Sequence, residues 1–438
     1  MMQRNAVIAT ALFVFVAHSV SAQAAPVPMT LGNALARGRS NGVQAALARL
    51  SAQGSAMRRQ ELGAAQLPQL DGSASMQRQT VNLHEFGLAF PGVPAVTDPF
   101  TLFRARLGAS QVLFDRALVD RLRAVKDTAI AAGLDGERAG DLAAAIAGAA
   151  WLRLAGAQET VTAREQDSVT AFALREIAQS QVDAGTAPRI DRTRSETRAA
   201  AVRIQIAVAR NERDRARLDL ARATDLPPGT PLVISADLNI SSDTLPSSID
   251  AAVALAKEHR VDLAAERQRQ AAMERSLAAI RSERLPSIAA SGFVQTSGGK
   301  GLDELAGSWN IGLGLSWSIF DGFRRDRRID EQRLRLDAEK IRLHDLESQI
   351  EADVRQAALD VASSRDQLTL ASDQVRLAEQ ELSEARDRFT AGVAGSVETT
   401  NAQAELAAAR DALIQARLSA GAAQINVARA LGLLNQVH

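Results

Sequence analysis

Residues able to do covalent or metal chemistry are few in this chain, and their spacing is unhelpful. There is no cysteine among the 438 residues, which excludes disulfides, thiol catalysis and cysteine-ligated metal. The five histidines, His18, His84, His259, His344 and His438, are scattered without ligand spacing. No nucleophile–base pair, phosphate loop or metal cluster can be assembled from the motifs, so neither an enzyme nor a cofactor is expected. Acidic and basic residues balance at 51 each, and no basic surplus points to nucleic acid. The chemistry that can be read is partitioning between oil and water.

It is clearest in SWNIGLGLSWSIF, residues 308–320. Trp309, Ile311, Leu313, Leu315, Trp317 and Ile319 alternate with Asn310, Gly312, Gly314, Ser316 and Ser318. Strict alternation describes a strand with one face against something apolar and the other against water. From Trp309 to Ile319 the run has the 9–11 residues that a tilted membrane strand needs, and Trp309 and Trp317 stand where interfacial aromatics sit. Phe86, Phe90, Phe100, Phe103, Phe114, Phe293 and Phe320 also lie in or beside such short segments. In 100–115, Phe103, Ala105, Leu107 and Ala109 share one face, and Arg104, Arg106, Gly108 and Ser110 the other. Strands at about 286–297 and 68–83 alternate less cleanly, the last being polar on both faces. Four strands cannot close a barrel in lipid, so several copies must share one; two chains would supply eight strands and three would supply twelve.

The elements that position these strands are written twice. QLPQLDGSASMQ (66–77) is echoed by RLPSIAASGFVQ (284–295), LGASQVLFD (107–115) by LGLSWSIFD (313–321), and VDAGTAPRID (182–191) by FTAGVAGSVE (389–398). The order is conserved between the copies, with about twelve extra residues in the Gly/Pro-rich loop of the first. A first repeat over 25–226, a linker over 227–247 and a second repeat over 248–438 follow. Within each repeat a proline-free helix, about 118–184 and about 322–391, would extend roughly 100 Å. Val354, Val361, Leu368, Val375, Leu382 and Phe389 recur every seven residues, with Ala357, Ser364, Ala371, Ala378 and Ala385 three residues after the first five. That is a coiled-coil seam of alternating large and small residues. A four-residue step from Ile350 to Val354 resets its phase. The charged run RRDRRIDEQRLRLDAEK reads as a solvated face laced by i,i+4 pairs. Ala184-Gly185 and Ala391-Gly392 end the long helices as hairpin tips.

At the N-terminus, Arg4 precedes an apolar run from Ala6 to Ala17 and two small-residue triplets, the layout of a secretory signal over 1–24 cleaved after Ala22 or Ala24. No cysteine is available there for lipidation.

The ordered set resembles the TolC family of outer-membrane efflux proteins: two tandem copies, Leu-Pro before each first strand, Phe-Asp closing each second strand, and paired Gly turns. The resemblance implies a mostly α fold with a small β membrane part. Long coiled-coil helices would form an α-barrel tunnel, and four strands per chain would enter a shared trimeric twelve-stranded β-barrel. It implies a homotrimer in the outer membrane of a Gram-negative bacterium. Its partners would be a periplasmic adaptor and an inner-membrane RND or ABC transporter, for efflux or type I secretion. It also implies adaptor contacts at Gly185, Thr186, Ala187, Gly392, Val393 and Ala394, and an entrance gate at Asp191, Glu398 and Asn401. Asn401 stands where a second carboxylate is frequent, and Ala394 where Asp191 would find a basic partner, so that lock is absent or built differently. The alternative is a periplasmic coiled-coil scaffold or adaptor without a membrane barrel.

Overall fold

A computed structural model describes residues 27–436 apart from 88–90, 93, 235–245, 247 and 300–305. The export signal expected at 1–24 and much of the linker expected at 227–247 lie outside the described residues. The first half runs β1 (Val27–Met29), α1 (Leu31–Asn41), α2 (Val43–Ala64), β2 (Gln69–Gln79), β3 (Phe100–Phe114), α3 (Arg116–Asp183) and α4 (Arg189–Ala223). The second runs β4 (Leu232–Ile234), α5 (Ile249–His259), α6 (Val261–Ser282), β5 (Ser287–Gly298), β6 (Ala306–Ser316), α7 (Arg324–Thr390) and α8 (Ser396–Leu431). Corresponding helices agree in length, at 11 and 11, 22 and 22, 68 and 67, and 35 and 36 residues.

Local chemistry sets the boundaries. Asp115 caps α3 by accepting from the Leu118 N–H at 2.9 Å, and Ser248 caps α5 by accepting from Ala251 N–H at 3.1 Å. The strand expected at 68–83 stops at Gln79, because Asn82 bridges Val96 and the chain turns into a short 3-10 helix over Leu83–Phe86. The strand expected at 308–320 occupies Ala306–Ser316 instead, its last pair being Ser316 with Ser287. Beyond it the chain forms a corner held by side chains. Trp317 Nε1 donates to the Arg284 carbonyl at 2.9 Å, and Arg325 Nη2 to the Ser318 carbonyl at 3.1 Å.

β2, β3, β5 and β6 form one antiparallel sheet in that order, leaving β2 and β6 as its edges. A separate two-stranded parallel sheet, β1 with β4, ties the halves together. The largest core lies where α3 crosses α1, α4 and α8. Trp151 packs there among alanines and donates its indole N–H to the Met29 carbonyl at 2.8 Å. Farther along, the seven-residue seam of α7 is buried against α8. Val354, Ala357 and Val361 meet Ala423 and Val427, and Ala378, Leu382 and Ala385 meet Ala402, Leu406 and Ala409. Small residues at alternate core positions let these helices approach closely.

The charged run at 324–340 is not the uniformly solvated face expected. Arg325 is buried at the corner below the sheet, and Glu339 is only 2 % exposed between α6 and α7. Glu339 accepts from Arg342 Nη1 at 2.9 Å through Oε2, while its Oε1 has no partner. Burial, reinforced by the Glu266 carboxylate beside it, holds its pKa above the ordinary glutamate value despite Arg342. The folded protein therefore keeps a proton that the unfolded chain releases. Stability is complete below the unfolded value and is lost as pH rises towards the folded one. Glu339→Gln is expected to melt above wild type at neutral pH and to match it below about pH 4. Equal melting temperatures at neutral pH would remove Glu339 from the titration.

Candidate functional sites in the sheet wall and hairpin tips

Register assigns every strand residue to a face. Leu315, Leu313, Ile311 and Trp309 on β6 lie opposite Ile288, Ala290, Gly292 and Val294 on β5. Those in turn lie level with Ala109 and Leu107 on β3, and these with Leu70 and Gly72 on β2. The face is thus mostly apolar or small across the four strands, with polar members that include Gln111 (opposite Ala290), Thr296 and Arg78, and its large side chains are exposed: Trp309, Ile311 and Leu313 by 74, 80 and 75 %. β2, polar on both faces when read alone, contributes Leu70, Gly72, Ala74 and Met76 to this face. The opposite face carries Ser, Gln, Asn and Gly together with Asp71, Arg104 and Arg106. Trp309 lies within β6, and Trp317 stands one residue beyond its end. Roughly 26 Å of chain separates the two rings at strand spacing.

The sheet is fastened to the helices by charge. Glu283, just after α6, accepts from Arg121 of α3 at 2.5 Å and Arg328 of α7 at 2.7 Å. Burial opposes its ionisation, but these two guanidiniums outweigh it and hold the carboxyl below the ordinary range.

The other end of the molecule carries the two hairpin tips. Gly185 and Gly392 have φ of +73° and +72°, which a side chain would strain. Each closes its helix in the same way: Thr186 N–H donates to the Gln181 carbonyl at 2.9 Å, and Val393 N–H to the Arg388 carbonyl at 3.0 Å. Thr186 and Val393 are exposed, while Ala187 and Ala394 are half-buried. Gln181 Nε2 crosses from the first hairpin to the second, donating to the Phe389 carbonyl at 2.8 Å.

Among the expected gate residues, Asp191 is buried and accepts from Ser396 Oγ at 2.5 Å, with Arg194 at 3.8 Å. Ala394 offers it no basic partner from the second hairpin, and the Ser396 hydroxyl two residues farther on meets it instead. Asp191 therefore joins the two hairpins of one chain. Glu398 pairs with Arg388 of its own hairpin at 3.4 Å. Asn401 is exposed and borders a cavity of about 520 Å³ with Thr193, Arg194, Thr197, Arg198 and Val397.

One group had no sequence signal beyond an i,i+3 spacing. Asp167 of α3 accepts from Arg164 at 3.1 Å and from Arg410 of α8 at 2.8 Å. Arg164 also bonds Asp411, and Arg410 reaches Glu379 of α7 at 3.3 Å. Among the described residues, no helix is long and apolar enough to cross a membrane, and no three side chains form a metal-binding group.

The molecule thus carries an exposed, largely apolar sheet face at one end of paired helices about 100 Å long. Residues 252–433 match the family model described as outer membrane efflux protein. Solved structures carry the likeness over the rest of the chain. The outer-membrane channel OprN superposes with a TM-score of 0.77 at 20 % identity, covering 92 % of this chain and 89 % of its own. Campylobacter jejuni CmeC gives 0.78 at 18 %, covering 92 and 86 %. Vibrio cholerae VceC gives 0.76 at 17 %, covering 92 and 96 %. No curated protein matches the chain in sequence. The resemblance to outer-membrane efflux proteins thus holds by family match over 252–433 and by fold over nearly the whole chain.

Proposed function

We propose that the protein is a passive efflux duct in the outer membrane of a Gram-negative bacterium, built from three copies. The observation that carries this reading is the predominantly apolar, exposed face of the four-stranded sheet, flanked by two open edges. Lipid tolerates no unpaired edge, so β6 of one copy pairs with β2 of the next until the sheet closes at twelve strands. The long helices continue the barrel as a twelve-helix tunnel through the periplasm. An adaptor docks on the tips around Gly185, Thr186, Ala187, Gly392, Val393 and Ala394, and an inner-membrane RND or ABC transporter supplies the energy. The chain performs no catalysis; it provides a conduit.

At the tunnel entrance the three copies of Glu398 converge, each beside its own Arg388, so the ring is one of ion pairs. Planar-bilayer conductance, together with migration that changes on boiling, tests the duct. A soluble, non-conducting product would overturn it. Divalent cations are expected to block wild type weakly, Arg388→Ala more strongly because it frees three carboxylates, and Glu398→Ala not at all. Equal block in all three proteins would remove Glu398 from the gate. Val393→Cys, at an exposed tip position, should cross-link to a periplasmic adaptor in whole cells; Leu359→Cys, far from the tip, should not. The reverse pattern would displace the docking site.

A further inference from the structure

The charge on the polar face of the sheet is concentrated and unbalanced. Arg104 and Arg106 lie two residues apart on β3, both on the face opposite Leu107 and Ala109. Their pairs across the sheet are uncharged: Ser75 and Ser73 on β2, Ser297 and Gln295 on β5. Both arginines are exposed, and neither has a carboxylate within ion-pair distance among the described residues. Arg106 lays its guanidinium over the Phe293 ring, 3.9 Å from the centroid, which orders the side chain without neutralising it. The single carboxylate on this face, Asp71, sits opposite Gly108. A side chain at Gly108 would put its Cβ 2.6 Å from Asp71 Oδ1, so the glycine makes room for the carboxylate at that level.

We infer that Arg104 and Arg106 form an electropositive ring in the barrel lumen that makes the duct favour anionic permeants, chloride among inorganic ions and acid-bearing compounds among organic ones. The inference rests on the barrel reading above. Three copies bring six guanidiniums against three carboxylates. Twelve strands about 4.8 Å apart, tilted about 40°, put the backbone about 12 Å from the axis. An arginine side chain covers roughly half that distance, so the charges lie within the Debye length of about 8 Å at physiological salt. A ring so placed raises the local concentration of counter-ions along the whole cross-section.

Reversal potentials of reconstituted protein in a potassium chloride gradient test it. Arg104→Gln with Arg106→Gln is expected to lower the chloride-to-potassium permeability ratio several-fold. Arg104→Lys with Arg106→Lys should keep it, and Asp71→Asn should raise it. Asp71→Asn leaves both arginines in place, so it remains informative if the double glutamine variant does not assemble. Conducting variants whose ratios all equal wild type would overturn the ring while leaving the duct intact. Wild-type protein that conducts nothing would overturn the duct itself.

Discussion

Leu313→Arg is expected to abolish the membrane-inserted, heat-modifiable form of the protein, whereas Asn310→Arg, three residues away on the same strand, is expected to spare it. Leu313 lies opposite Ala290 in the middle of the apolar face and is three-quarters exposed in a single copy. If that face meets hydrocarbon, an arginine at mid-depth costs about 2–4 kcal/mol. In the proposed trimer three copies would incur that penalty together, about 6–12 kcal/mol, comparable with the roughly 5–15 kcal/mol that holds a typical domain folded. Asn310 faces the other way, opposite Phe293, where water can solvate a new charge. Fractionation and gel migration with and without boiling distinguish the two variants. Normal insertion of the Leu313 variant, or equal failure of both, would show that the face does not contact lipid.

What the sequence made legible follows the range of the signal. Alternation in 309–319 is a nearest-neighbour pattern and marks its apolar face without any knowledge of the fold. The seam from Val354 to Phe389 repeats every seven residues and is buried along its length except for Leu368 and Val375, which are half-buried. β2 shows the limit of that reading. Leu70, Gly72, Ala74 and Met76 form a face only because they pair with Ala109, Leu107, Ala105 and Phe103, 27 to 39 residues farther along the chain. For Asp191 the family resemblance suggested a gate position but could not show Ser396 as its partner, since that contact spans 205 residues. The charged run after Gly322 misled for a related reason. Glu339 is buried against α6 at a core position three residues after Leu336, as Gln332 follows Ile329, but its charge masks that place in the seven-residue pattern.

Asp167→Ala is expected to destabilise the protein by about 3–5 kcal/mol, the cost of stranding buried charges. Asp167 has a side chain only 6 % exposed and holds both Arg164, 12 % exposed, and Arg410, 20 % exposed. Arg164 would retain Asp411 and Arg410 would retain Glu379, which sets the loss at the lower end of that range. The surroundings offer little further relief. Arg198 of α4 and Gln403 of α8 border the same spot, and Arg198 Nε and Gln403 Nε2 already lack partners. Asp167→Asn removes the charge but keeps one acceptor, and should fall between wild type and alanine. Because the pair Asp167–Arg410 joins α3 to α8, the loss acts on the joint between the two hairpins rather than within either one. If the hairpins line the proposed duct, thermal melting and bilayer conductance should move together, a lower melting temperature with a larger or noisier current. Melting within about 0.5 kcal/mol of wild type would place the network among surface ion pairs of little consequence. A large loss of stability with unchanged conductance would confine the network to folding.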